Sequence, residues 1–279
     1  MGTALGPPLF IDNDLMNMSM TAAQSDLTAY RQSDLEQKRI GDLMRLLPQR
    51  GEGVLDVGAR DGYISILLTQ LFDRVTALDL ETPRIKHDNV TCVKGDITAL
   101  QFPDNYFDAV LCAEVLEHIP PSLLPKACKE LARVTRSKVV IGVPYKQDTR
   151  LGRTTCSRCG EQNPPWGHVN EFDEAKLKGL FSGLTCEKIS FVGESPRGTN
   201  FVATYLMDLA GNPYGTYGQD ESCVRCGAKL AMPPARTLVQ KVITKSAHIV
   251  RTIGTPFPPN HGNWIHVVFS KNSASTSAA

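Results

Sequence analysis

Residues 53–80 read GVLDVGARDGYISILLTQLFDRVTALDL, and this stretch decides the fold. It opens on the apolar run GVLDVG (53–58) and turns through a loop with two glycines. It then continues as RDGYISILLTQLF (60–72), with Ile64, Leu67, Leu68 and Leu71 on one side of a helix. A second apolar run, RVTALDL (74–80), follows at once. Strand, loop, helix and strand form the repeating unit of a parallel sheet. Further apolar runs at 90–94 (VTCVK), 107–112 (FDAVLC) and 138–143 (KVVIGV) extend it, and the helical stretch 121–135 carries Leu123, Leu124, Ala127 and Leu131 at helix spacing. The expected class is α/β, a mainly parallel sheet with helices on both faces and a ligand at the carboxyl ends of its strands.

A chain of 279 residues has room for one such core with insertions, and 42% hydrophobic with 21% charged residues excludes a largely disordered or fibrous chain. No apolar run approaches the roughly 18 residues of a membrane-spanning helix, and the first fifteen residues contain no Lys or Arg to begin a signal peptide. The expectation is a cytoplasmic protein with no transmembrane segment.

The eight cysteines divide into two groups. Cys92, Cys112, Cys128 and Cys186 stand singly in strand-like or helix-like segments and read as small buried side chains. Cys156, Cys159, Cys223 and Cys226 form two copies of C-x-x-C-G, as CSRCG (156–160) and CVRCG (223–227). A two-residue spacer lets both thiolates of a turn face one ion, and four thiolates make the donor set of a closed, structural Zn2+ site. A redox pair or disulfides fit less well in a duplicated motif without an export signal. Separate metal sites drawing on His168 or His261 are a further alternative.

The loop after the first strand does not suit a dinucleotide, because Arg60 stands where G-x-G-x-x-G has its middle glycine. Asp79, at the end of the second strand, is placed to accept from ribose hydroxyls. Taken in order, VLDVGARDGY (54–63), VTALDLE (75–81), KGDITALQFPDNYFDAVLCAEVLEHI (94–119) and VVIGVPY (139–145) resemble the class I S-adenosylmethionine-dependent methyltransferases, in particular the subgroup with an E-V-L-E-H motif. The resemblance implies a Rossmann-like seven-stranded sheet with an antiparallel last strand and S-adenosyl-L-methionine as cofactor. It implies that Asp56, Gly58 and Gly62 lie beneath the methionine part, that Asp79 binds the ribose, and that Asp96 faces the adenine amino group with Ile97 against the ring. Ala113 and Glu114 would line the pocket beyond the fourth strand. Glu117 and His118 read as anchors of the turn and the following helix.

Methyl transfer from a sulfonium needs an aligned acceptor, and a hydroxyl acceptor also needs a base or a polarising neighbour. His168 and Glu171, in PPWGHVNEF (164–172), are the best placed by sequence, with Tyr145 and Asp148 behind them. His168 serves equally as a brace for the adjoining knuckle. From residue 223 onward lie seven of the 30 basic residues and none of the 29 acidic ones, so residues 1–222 carry a net of −6 and the remainder +7. A helix over 235–252 would set Val239, Val242, Ile243 and Val250 on one face and Lys241, Lys245, His248 and Arg251 on another. That asymmetry suggests an anionic partner or a solvated face, and leaves nucleic acid open.

The expected organisation is a flexible N-terminus with a lid-like helix (1–34), a methyltransferase core (35–205) with the first knuckle inserted at 150–170, and a substrate-recognition insertion of second knuckle and basic helix (206–260). A closing strand (261–271) and a disordered tail (272–279) complete it. The leading expectation is methyl transfer to oxygen of a small or glycan-like acceptor. The alternatives are an RNA or protein methyltransferase gripping its target through the zinc module, and a non-catalytic binding protein.

Overall fold

The computed structural model describes residues 28–195, 197–217, 222–255 and 261–271. The expectations for residues 1–27 and for the tail 272–279 therefore lie outside the described residues. The chain opens with α1 (Thr28–Arg31) and α2 (Asp34–Leu46), then alternates β1 (Gly51–Val57), α3 (Tyr63–Leu68), β2 (Phe72–Asp79), β3 (Val90–Lys94), β4 (Phe107–Ala113), α4 (Leu124–Val134) and β5 (Thr135–Pro144). A small hairpin, β6 (Thr154–Thr155) with β7 (Gln162–Asn163), precedes α5 (Glu174–Leu180), β8 (Thr185–Val192), α6 (Phe201–Leu209), α7 (Leu238–Gly254) and β9 (Trp264–Ser270). Seven strands form one sheet in the order β3-β2-β1-β4-β5-β9-β8. β1 pairs parallel with β2 and β4, whereas β9 runs antiparallel to both β5 and β8. This is the seven-stranded sheet with a reversed last strand that the sequence implied.

The sheet is covered on both sides for a reason readable in its helices. In α4, Leu124, Ala127, Cys128 and Leu131 fall at i, i+3, i+4 and i+7, and all four are buried with Leu55, Val110, Val139 and Phe269. On the opposite face Leu43, Leu46 and Leu47 pack with Val54, Leu111, Val140 and Val268. β4 and β5, apolar on both sides, are the strands at the centre.

Two local expectations are corrected. The helix read over 60–72 spans only Tyr63–Leu68, because Thr69, Gln70 and Leu71 donate to carbonyls three residues back and tighten the chain into the turn that starts β2. In α7, Thr244 and Ala247 are the buried residues, while Leu238, Val239, Val242 and Ile253 face outward. α7 packs against α6, whose buried residues are Ala203 and Thr204 and which turns Phe201, Val202, Tyr205 and Leu209 outward. No helix among the described residues is long and apolar enough to cross a membrane.

One polar contact crosses the core. His266 in β9 is fully buried, and its Nδ1 pairs with Asp42 Oδ2 of α2 at 2.7 Å, while Asp42 Oδ1 accepts from Arg45 at 3.1 Å. The pair ties the N-terminal helix to the last strand. Asp42→Ala leaves a buried imidazole without that partner and should cost about 1–3 kcal/mol, read by urea denaturation.

Candidate active site

The carboxyl ends of β1, β2, β3 and β4 supply one wall of the site. Gly58 and Gly62 both adopt φ near +79°, and a side chain at either would strike Val115 or Ile85, so this loop takes its shape only with glycine. Arg60, the departure from the commonest motif, also takes positive φ (45°), and its N–H donates to Asp79 Oδ2 at 2.9 Å. Leu80 N–H donates to Asp79 Oδ1 at 2.7 Å. Each oxygen of a carboxylate offers a further lone pair, so Asp79 retains acceptor capacity for two hydroxyl donors. Asp96 is exposed, its Oδ1 accepts from Thr98 N–H at 2.8 Å, and that bond holds its carboxyl below the usual range. Ile97 beside it is buried. A diol, an amine and an aromatic ring can be satisfied by these groups, so the residues present fit an adenosyl cofactor.

Asp56 is buried in β1 and accepts from Ser65 Oγ at 2.5 Å. Burial pushes its carboxyl up to about 6, against the hydrogen bond from Ser65 that pulls it down.

The opposite wall comes from segments far apart in sequence. α1 and α2 lean on the β1 loop through Arg31, which pairs with Asp61 at 3.0 Å and with Glu36 at 2.6 Å. Glu36 in turn binds Arg39 through both of its oxygens at 2.8 Å, and both residues are buried. Glu114, at φ 57°, accepts from Trp264 Nε1 at 3.1 Å through Oε2, and its Oε1 is buried without a partner among the described residues. Sequence reading missed Arg39, Glu36 and Trp264, whose roles depend on α2 and β9 meeting at the end of β4.

His168 lies in the loop after β5 and is buried against His118, ring centroids 4.7 Å apart. Its Nδ1 stands 2.6 Å from Gln147 Oε1, an acceptor, so Nδ1 carries the proton and Nε2 the lone pair. Burial, with His118 adding, drives His168 down to about 3; burial and the charge of Arg60 also lower His118. Both imidazoles are thus neutral at neutral pH. Glu117 is fully buried, and both its carboxylate oxygens lack a partner among the described residues. Burial pushes it well up, and Glu114 adds to the shift. The anchoring expected of Glu117 is performed by its backbone: the carbonyl accepts from Val169 N–H at 2.8 Å and Asn170 N–H at 3.2 Å. Asn170 Nδ2 completes the stitch on the carbonyls of Leu116 and Ile119. Glu171 is exposed, and its Oε1 accepts from Thr149 Oγ1 at 2.8 Å.

The two cysteine knuckles meet. Cys156 and Cys226 sulfurs are 3.7 Å apart and Cys159 and Cys223 sulfurs 3.6 Å apart, and all four lie within 4.8 Å of one another. Zn–S bonds of about 2.3 Å set sulfurs at tetrahedral corners about 3.8 Å apart, so the donor set fits that ion. The knuckles are copies in geometry: Gly160 and Gly227 take positive φ, and their N–H groups donate to Cys156 and Cys223 carbonyls at 2.9 Å. Of the four single cysteines, Cys112 and Cys128 are buried in the main core as expected, whereas Cys92 and Cys186 are only half-buried. The module joins the site directly, since Trp166 N–H, two residues before His168, donates to Thr216 Oγ1 at 2.9 Å.

With this geometry in place, comparison with known proteins adds likenesses. Residues 55–141, within the strands and loops that build the first wall, match a protein family described as a methyltransferase domain. Curated relatives include a ubiquinone biosynthesis O-methyltransferase of Albidiferax ferrireducens, 28% identical over 153 residues, which is 45% of this chain and 61% of that protein. Another of the same name from Xanthomonas oryzae pv. oryzae is 35% identical over 94 residues, covering 30% of this chain and 39% of that protein. The chain therefore spans less than two thirds of these relatives. Among solved structures, a Bacillus halodurans protein assigned as a candidate methyltransferase superposes with TM-score 0.51 at 14% identity, covering 83% of this chain and 98% of that one. The Bacillus subtilis protein YcgJ does so with TM-score 0.50 at 15% identity over 84% of this chain and 98% of that one. Both likenesses concern the fold.

Asp56 yields a prediction. Its folded value near 6 lies above the ordinary carboxylate value near 4, so the folded protein holds the extra proton between these limits. Its contribution to stability is full below about pH 4 and lost as pH rises through 6. Asp56→Asn should remove this loss, making the cofactor-free protein roughly 1–3 kcal/mol more stable than the parent at pH 8, with little difference at pH 4, read by thermal unfolding at both values.

Proposed function

We propose that the protein transfers a methyl group from S-adenosyl-L-methionine to a hydroxyl oxygen of a small-molecule acceptor. The observation that carries this reading is the carboxylate series at the ends of β1, β2 and β3, Asp56, Asp79 and Asp96, set around a glycine loop inside a methyltransferase domain. The names of the curated relatives support oxygen as the acceptor atom.

Bound S-adenosylmethionine supplies an electrophilic methyl on a sulfonium sulfur. In this reading Asp79 accepts from the ribose hydroxyls, Asp96 from the adenine amino group, and Ile97 packs on the ring. Gly58 and Gly62 let the loop pass beneath the methionine part, with Asp56 behind it. Ala113 and Glu114 border the methyl. The chain's task is then to align an acceptor and exclude water, which suits a wall built from the buried His168 and the turn at Glu117 and His118. Of the two acceptor-side candidates, we assign contact with the acceptor to His168; Glu171, held by Thr149 at the surface, orders the loop that carries it. α1 and α2, tied to Asp61 through Arg31, act as the cover of the cofactor side.

Asp79→Ala should weaken S-adenosylmethionine binding about 10- to 100-fold in calorimetry, the loss expected for hydrogen bonds to a charged acceptor. Unchanged affinity would refute the cofactor assignment, and absence of binding by the parent protein would favour a binding module over an enzyme. Transfer of labelled methyl groups into small molecules of a fractionated extract is the expected readout of activity, with label in RNA or protein pointing to a macromolecular acceptor.

We further propose that Cys156, Cys159, Cys223 and Cys226 bind one structural Zn2+. Metal analysis should return one zinc per chain, and Cys156→Ser or Cys223→Ser should lose it and open the segment 150–230 to proteolysis. A fully folded, zinc-free protein would sink this assignment.

A further inference from the structure

The outward side of α7 carries a pattern that no contact described so far uses. Val239, Val242, Ser246, Ile249 and Ile253 follow one another at spacings of 3, 4, 3 and 4 residues, the heptad rhythm by which one α-helix seats its side chains between those of another. The four apolar members are 51 to 82% exposed. α6 does not fill this seam, since α7 buries a different side, at Thr244 and Ala247. Four further apolar side chains continue the surface on α6: Phe201, Val202, Tyr205 and Leu209 are all more than half exposed. With Leu238 the two helices turn nine large apolar residues outward, more than the patch of roughly 300–600 Å2 that a monomer ordinarily shows. Their area is on the order of the 800 Å2 that each partner of a standard interface buries.

Two properties of the seam identify its occupant. The first is self-complementarity. Reversed end to end about Ser246, the series falls on itself, so that Val239 of one copy meets Ile253 of the other and Val242 meets Ile249. Ser246, the small residue of the seam, then sits at the crossing point, where two helix backbones approach most closely. The second property is charge. α7 contains no acidic residue, and its exposed cations, Lys241 and Lys245, stand on one flank of the seam. A helix lying on an anionic bilayer carries its cations on the side away from its apolar stripe. Here that side is turned inward, with Thr244 buried and Arg251 bound to the carbonyls of Arg197 and Gly198.

We propose that the outward faces of α6 and α7 join two copies of this chain in a symmetric dimer, α7 against α7 of the second copy in antiparallel register about Ser246. Each copy contributes the same surface, so the assembly closes at two and covers the apolar face of both. Lys245, next to Ser246 in the chain, comes near its own counterpart across the axis, and salt screens this like-charge approach. The dimer therefore tightens as salt rises, whereas an acidic protein or an anionic lipid surface would be released. No residue of the seam belongs to either wall of the site described above, so the pairing does not rest on the methyl-transfer reading.

Sedimentation equilibrium of the full chain over a concentration series provides the test. The parent should sediment at twice the chain mass, with a dissociation constant that falls between about 0.05 and about 0.5 M NaCl. Val242→Glu and Ile249→Lys change exposed positions and should leave the circular dichroism of the folded chain unaltered. Each should raise the dissociation constant at least about 30-fold, the loss of an interface hot spot. Mixed in equal amounts, the two variants should pair again, because the antiparallel register sets the introduced carboxylate of one against the introduced ammonium of the other. A monomeric parent, or variants that dimerise as the parent does, overturns the proposal. So does a mixture that stays monomeric when each variant alone is monomeric. Flotation with phosphatidylglycerol vesicles covers the other occupant: a monomeric parent that floats with them assigns the face to anionic lipid and overturns the dimer.

Discussion

Two backbone N–H groups, those of Val169 and Asn170, share the carbonyl of Glu117, and the second wall of the site depends on this junction. It fastens the loop after β5 onto the turn after β4. β4 and β5 pair side by side, so their carboxyl ends are neighbours, and this junction then folds the loop after β5 back onto the turn where His168 meets His118. The Asn170 amide strengthens the junction by holding the carbonyls at Leu116 and Ile119, which would otherwise be left unpaired at a buried turn. A short 3-10 turn over Leu116–His118 is thereby satisfied from outside its own element. What looks in sequence like a helix entry is a socket for another loop.

The first wall was legible because it is local. A strand of apolar residues, a glycine turn and a carboxylate at the end of the next strand follow each other within 30 residues, and periodicity reveals each one. The cysteine knuckles were legible for a similar reason, since spacing within each copy carries the chemistry and the duplication carries the partner. The second wall was not. Gln147, Asn170 and Trp264 carry no motif, and their contacts span from 21 to 150 residues in the chain. Glu117 shows the limit most sharply: the motif marked the residue, but only the fold separates the work of its carbonyl from that of its carboxylate.

Helix faces were misjudged where a helix does not rest on the main core. In α4 the apolar stripe and the buried stripe coincide, because the sheet beneath is itself apolar. In α7 the contact is with α6, and close approach of two helices favours the small side chains Thr244 and Ala247 over the larger Val239 and Val242. Arg251, which periodicity assigned to a charged outer face, instead turns back and donates to the carbonyls of Arg197 and Gly198. A guanidinium with several donors can close the end of a loop in a way that a count of charges does not reveal.

The cysteine module makes sense as a mechanical part of the same site. Its own apolar core is small, formed by Cys156, Tyr217, Cys223 and Leu230 with a few partly buried neighbours, too little to order two excursions of the chain by burial alone. The zinc proposed for the four sulfurs would supply the missing order, as an ion does in small metal-dependent domains. The order is then passed on through specific bonds. Tyr217 OH accepts from Thr155 N–H, Asn163 accepts from Val224 N–H across the two knuckles, and Thr216 Oγ1 accepts from Trp166 N–H. Trp166 takes a positive φ (52°), a costly conformation for an aromatic residue, and it is held there two residues before His168. The strain sits where the rigid module meets the junction at Glu117, so the position of His168 is fixed from both sides: by the sheet through the Glu117 carbonyl, and by the sulfur cluster through Thr216.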